Sequence, residues 1–325
     1  MTIQRRAFLR LAMGVIALPT ASCVARAQTY PARPMRILVG FPAGGPGDIL
    51  ARLVGQSLQQ QLGQPVIVEN RPGAGSNVAA EAVVQAPADG YTLLLVSSAN
   101  AINATLYENL KFNFIRDVAP VAGISSEPNI LVVNPSVPVK SVPELIAFAK
   151  ANPRKLNMAS AGNGTPPHVT GELFKMMTSV EMVHVPYRGG APAVTDLIAG
   201  QVQVYFGTSS ASVEHVKTGR LRALAVTSAT RSDASPDLPT VGEFVPGFEA
   251  NTWFGLGAPK NTPIEIVDRL NKEISASLAD SKVRARLADL GGKPLTLSPA
   301  DFGKLIAEET EKWGKVIRKA NIKVG

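Results

Sequence analysis

Two segments of this chain follow one plan: an apolar strand, a glycine-bearing loop, then a helix with apolar residues along one stripe. In the first, Met35-Arg36-Ile37-Leu38-Val39 reads as a strand and residues 40–47 (GFPAGGPG) as the loop. Ile49, Leu50, Leu53, Val54, Leu58 and Leu62 then fall at helical spacing. In the second, a strand over 156–159 leads into Ser160-Ala161-Gly162-Asn163-Gly164-Thr165. Thr165 stands where a capping hydroxyl is expected, and Pro166 takes the first helical position, where its missing N–H does no harm. Parallel strands need a crossover connection, so this rhythm predicts a mainly parallel sheet flanked by helices, an α/β fold.

The alternation continues along the chain. Strands are expected over 66–68, 92–96, 130–133, 183–185, 202–206 and 223–226, and helices over 77–85, 142–151, 191–198 and 212–218. Gly63 ends the first helix, and Ser141-Val142-Pro143-Glu144 has the form of a capping box. Residues 97–100 are expected to form a loop, and 263–290 and 299–320 to be helical. Two βα halves and a helical end predict two lobes joined by strands crossing near 127–133 and 250–258. Lobe 1 then comprises 28–128 plus 253–325, and lobe 2 comprises 129–252.

The first 27 residues read as an export signal. Arg5, Arg6 and Arg10 precede a short apolar run over 11–21, and Ala25-Arg26-Ala27 offers a cleavage site. The run is about half of the roughly 20 residues that a membrane-spanning helix needs. The paired arginines suit either a twin-arginine or an ordinary secretory signal, so the expected location is the periplasm. The sole cysteine, Cys23, lies within this segment, which leaves the mature chain without a thiol or disulfide. Four arginines and no acids leave with the signal, so a formal charge of +8 falls to about +4. The remaining charges are interleaved, with no basic stripe alternating with aromatics, and nucleic-acid binding is not expected.

Ligands of open α/β sheets bind beyond the carboxyl ends of the strands. Three polar segments fall there: 40–48, ending in Asp48; Ser97, Ser98 and Asn100; and 160–165. Backbone N–H groups at helix N-termini, with nearby hydroxyls, suit a carboxylate. Each glycine loop taken alone also reads as a plain βα turn. Phe41 and Trp253 read either as a pocket floor or as core packing, and Arg188 either as a carboxylate partner or as a solvated loop residue. His168 is expected to steady the loop before it. No serine elbow, zinc motif or phosphate loop is present, and His168, His184 and His215 do not cluster in sequence. The one catalytic grouping left open is Ser160, His168 and Asp196 in space. Catalysis, cofactors and metals are not expected, and nothing demands more than a monomer.

Many segments carry a resemblance in one order. Residues 39–48 (VGFPAGGPGD), 68–75 (VENRPGAG), 89–94 (DGYTLL), 160–168 (SAGNGTPPH), 185–193 (VPYRGGAPA) and 219–226 (GRLRALAV) resemble the Bug receptors, solute-binding proteins of tripartite tricarboxylate transporters. The resemblance implies a two-lobed type II periplasmic-binding-protein fold that closes on a small carboxylate and passes it to membrane subunits. It implies that Phe41, Pro42, Ala43, Gly44 and Gly45 hold the proximal carboxylate together with Ser160, Ala161, Gly162, Gly164 and Thr165, near Ser97, Ser98 and Asn100. Tyr187, Arg188, Gly189 and Ala191 would line the other side. Gly207 stands where the family often has an aspartate, which removes a partner for a ligand amino group and favours a dicarboxylate or aromatic acid over an amino acid. The other reading left open is a sensor that presents a bound metabolite to a signalling partner.

Overall fold

The structure, a computed structural model, describes residues 30–232 and 235–324. The export signal and Cys23 lie outside the described residues. The chain runs β1 (Met35–Val39), α1 (Pro46–Leu62), β2 (Val66–Asn70), α2 (Asn77–Val84), β3 (Thr92–Ser97), α3 (Ser98–Leu106), α4 (Phe114–Asp117) and β4 (Val118–Val133). It continues through α5 (Val142–Ala151), β5 (Asn157–Ser160), α6 (Pro166–Thr178), β6 (Val183–Pro186), α7 (Gly190–Ile198), β7 (Val204–Thr208), α8 (Ser209–Lys217) and β8 (Arg222–Val226). The last part is β9 (Asn251–Pro259), α9 (Ile264–Ala279), α10 (Ser281–Asp289), β10 (Lys293–Pro294) and α11 (Pro299–Lys319).

The apolar stripe of α1 explains its place. Leu50, Ala51, Val54 and Leu58 are fully buried, whereas Arg52, Gln56 and Gln59 face solvent. Burying each large aliphatic contributes about 1.5–3 kcal/mol, enough to fix which face meets the sheet. Strands β1 and β3 are apolar almost throughout because helices cover both of their faces. Met35, Ile37, Val39, Leu93 and Leu95 pack towards α1 and α9, while Leu38, Leu94 and Val96 pack towards α2 and α11. The second unit repeats this double layering, with α5 and α6 over one face of its strands and α7 and α8 over the other.

Strand order is β2-β1-β3-β9-β4-β7-β5-β6, with β8 and β10 also paired to β4. The expected parallel sheet holds within each half, where β1 pairs with β2 and β3, and β5 with β6 and β7. It fails at the junction: β3–β9, β4–β9, β4–β7, β4–β8 and β4–β10 are all antiparallel. The reason is connectivity. A strand that passes from one half to the other needs no crossover helix, so nothing forces it into the parallel sense. The 16-residue β4 does the joining: Val118–Pro128 pairs with β9, and Asn129–Val133 with β7 and β8. Helix α11 adds a second link, since Trp313, Val316 and Ile317 share a core cluster with Leu173 and Phe174 of α6.

Glu127 sits where β4 changes sheets. It is 1 % exposed, and neither carboxyl oxygen has a partner among the described residues. Burial pushes its carboxyl up to about 7. A raised native value means that the native state holds the proton between the ordinary value near 4.5 and 7, so stability falls as pH rises through that window. Glu127→Gln is expected to raise stability by about 2 kcal/mol at pH 8 and to change it little at pH 4, read from urea midpoints. A variant equally destabilised at both pH values would contradict this.

Candidate functional site

The carboxyl ends of β1, β2 and β3 bring together the first half of the site. Phe41 follows β1, half-buried, and its carbonyl accepts from Asn70 Nδ2 at the end of β2 (3.1 Å). Pro42, Ala43 and Gly44 are exposed and Gly45 partly so. Asp48, 3 % exposed in the first turn of α1, accepts from the Gly44 N–H (2.9 Å) and pairs with Arg52. The hydrogen bond from Arg52 holds its carboxyl below the ordinary carboxylate range. The N-terminus of α1 therefore already receives a negative charge from its own chain, and the Gly44 N–H is engaged.

The segment expected to be a loop over 97–100 is instead the last residue of β3 followed directly by the first turn of α3. The cause is the returning half of a capping box: Asn100 Oδ1 accepts from the Ser97 N–H at 2.9 Å, while the Ser97 hydroxyl has no partner among the described residues. The Asn100 amide also reaches Ser76 Oγ (3.5 Å), and a Cβ on Gly40 would lie 2.0 Å from that same oxygen. Ser98, 1 % exposed, has no partner for its hydroxyl among the described residues. Ser76, fully buried with φ of 84°, was not anticipated; the glycines at 73 and 75 just before it were the available signal.

The second half lies at the carboxyl ends of β5 and β6. The loop over 160–165 is tied to itself and to the next turn. Gly162 donates to Ser160 Oγ (3.1 Å), Thr165 N to the Gly162 carbonyl (3.2 Å), and Gly189 N to the Ala161 carbonyl (3.1 Å). Thr165 occupies the capping position, but its hydroxyl donates to the Gly162 carbonyl (2.7 Å) rather than serving α6. Gly164 N donates to His168 Nδ1 (3.0 Å), so His168, 5 % exposed, steadies this loop from beneath.

Ser160, His168 and Asp196 do not form a grouping. Ser160 Oγ lies 2.6 Å from His184 Nε2, and the His184 ring stacks on His168 at 3.6 Å with planes 6° apart. Asp196 instead accepts from the Tyr187 hydroxyl at 2.7 Å. Alternation along β5 and β6 sets Ser160 and His184 on the face under α6, whereas Asp196 lies on α7 over the opposite face. Burial, then mutual repulsion and Lys175, push His168 down to about 3; burial and Lys175 push His184 down to about 4. His184 was missed because only the register of β5 against β6 brings it to Ser160.

Tyr187 is half-buried, Arg188 and Ala191 are exposed, and Gly189 precedes α7. Gly207 is buried near the end of β7 beneath the Tyr205 ring. Trp253 is no pocket floor: it is 2 % exposed, stacks edge-on to Phe302 (5.7 Å) and shares Glu309 with Trp313. The halves meet where Gly164 abuts Leu106 at the end of α3; a Cβ there would lie 1.9 Å from Leu106 Cδ2. Among the described residues, no helix is long and apolar enough to cross a membrane.

A family model described as tripartite tricarboxylate transporter family receptor matches residues 50–322. Protein BugT of Bordetella pertussis is 38 % identical over 301 residues, which is 92 % of either chain. An R. palustris protein solved with adipate superposes with a TM-score of 0.82 at 38 % identity, covering 91 % of this chain and all of that one. MatC from Rhodopseudomonas palustris, solved with bound malate, superposes at 0.77 with 33 % identity over 89 % of this chain and all of that one. The expected two-lobed α/β receptor fold agrees with these likenesses.

Proposed function

The chain belongs to the tripartite tricarboxylate transporter receptor family, a family of binding receptors rather than enzymes, and from that premise we propose that it captures a dicarboxylate or aromatic carboxylate between its lobes. Lobe 1 comprises 28–128 plus 253–325 and lobe 2 comprises 129–252. The protein works in the periplasm after loss of its first 27 residues and hands its cargo to transporter membrane subunits. The proximal carboxylate sits between residues 41–45 and 160–165, beside Ser98. The observation that carries the reading is the buried, unpartnered Ser98 hydroxyl at the start of α3, at the carboxyl end of β3, which pairs with β1. A hydroxyl without a partner is unfavourable when buried, and an arriving carboxylate oxygen relieves that cost. The relatives solved with adipate and malate agree with the ligand class.

Thermal unfolding of ligand-free mature protein tests this. At a hundredfold excess over Kd, a ligand bound only by the native state adds about 2.7 kcal/mol. For a chain of this size that is a rise of roughly 5 °C. Adipate, malate or an aromatic acid is expected to give it, and glutamate is not. Ser98→Ala should leave the unliganded melting temperature unchanged and weaken binding about tenfold, the worth of one hydrogen bond to a charged group. No rise with any acid would overturn the carboxylate reading.

A further inference from the structure

We infer that Tyr205 and Ser212 determine specificity by reading a second oxygen-bearing group at the far end of the ligand, a reading that rests on the carboxylate site proposed above. Tyr205 and Gly207 project from the same face of β7, two residues apart. The Tyr205 ring leans along the strand over Gly207: a Cβ at 207 would lie 2.2 Å from Tyr205 Cε1 and 3.0 Å from Ser212 Oγ. Gly207 has no side chain because the ring takes its space. At the other end of the ring, the hydroxyl lies 3.2 Å from the point where a Cβ on Gly190 would stand. Gly190 opens α7 and Ser212 lies in the first turn or so of α8, so the ring spans the N-terminal ends of two nine-residue helices.

Ser212 is fully buried, and its hydroxyl has no partner among the described residues. Tyr205 is 2 % exposed, and burial alone raises its phenol, with no hydrogen bond to another described side chain contributing. The unmet Ser212 hydroxyl and the Tyr205 hydroxyl, beside two helix N-termini, form a donor-rich patch, which suits a carboxylate oxygen and disfavours an ammonium. Burial pushes the Tyr205 phenol up to about 12, so it remains a donor at neutral pH. The neighbouring turn over 187–189 is rigidly joined to the loop over 160–165 through Tyr187 N–Ser160 O (3.0 Å) and Gly189 N–Ala161 O (3.1 Å). On this inference, a ligand whose near carboxylate lies on that loop extends its far end towards Tyr205.

Titration calorimetry with matched acids tests the inference: adipate against hexanoate, and terephthalate against benzoate. Wild type is expected to favour the diacid in at least one pair. Tyr205→Phe keeps the ring over Gly207 and so the fold; it should weaken the diacid about tenfold while leaving the monoacid within about twofold. Ser212→Ala is expected to act in the same direction. Equal loss for both members of a pair, or no change in either, would overturn the assignment of these hydroxyls while leaving the carboxylate site standing. Wild type that binds none of the four acids, malate or glutamate would overturn the site, and this inference with it.

Discussion

Gly40→Ala is expected to destabilise the protein by about 3 kcal/mol, the upper end of what overpacking usually costs. The added methyl would lie 2.0, 2.3 and 2.4 Å from Ser76 Oγ, Cβ and Cα, so rotating a side chain cannot relieve the clash. The Ser76 backbone itself must move. It is held by its N–H to the Gly73 carbonyl (3.0 Å) and by Asn100 reaching its hydroxyl, and it is fully buried. Gly44→Ala provides the contrast. Nothing lies within 4 Å of a Cβ there, and only the left-handed φ of 80° is unfavourable, at about 1 kcal/mol. Urea unfolding at constant m-value should rank the two variants clearly. The displaced Ser76 would also shift Asn100 and the start of α3, so carboxylate affinity should fall with stability in Gly40→Ala. Equal midpoints for the two variants would show that the loops after β1 and before α2 are not in contact.

That contact illustrates which parts of this molecule can be read from sequence. The βα units were legible because their signals are local: apolar stripes such as Leu50, Val54 and Leu58, a glycine loop, a proline at the helix start. The export of the chain's polar loops to one edge of each sheet follows from the same handed alternation. What escaped was set by register between distant strands. Ser160 meets His184 only because β5 pairs with β6 as Ser160↔Pro186, and Tyr205 covers Gly207 only because a strand repeats every second residue. The antiparallel crossing of β4 and β9 was hidden for a related reason. Sequence periodicity reports which face is buried, not the direction of a neighbouring strand. The polarity of Ser97 to Asn100 reads as a loop, yet a polar Asn100 is what returns to the Ser97 N–H and lets the helix follow the strand directly.

The stacked histidines carry the second large effect, and its sign follows from their environment. Both imidazoles are held neutral in the native state, His168 at about 3 and His184 at about 4, against an ordinary value of 6.5. The unfolded chain therefore takes up more protons between 6.5 and 4, so stability is fully present above 6.5 and is lost as pH falls through that window. At pH 5 the loss is about 2 kcal/mol for each ring, or roughly 3–4 kcal/mol for the pair. The charged groups around them are Lys175, which opposes protonation, and Glu172, 3.8 Å from His168 Nε2 and paired with Lys175 at 2.7 Å. Two imidazolium rings 3.6 Å apart would repel, and a proton on His168 Nδ1 would end its acceptance of the Gly164 N–H. Acid should then loosen the loop over 160–165 before the chain unfolds, and carboxylate affinity should fall below about pH 5 faster than ligand protonation explains. His184→Gln preserves a partner for Ser160 and removes one titrating ring. Its urea midpoint is expected to change about half as much between pH 7 and 5 as that of wild type. An unchanged pH dependence in this variant would assign the acid sensitivity to other groups, because no native imidazole besides His168 shares its stack.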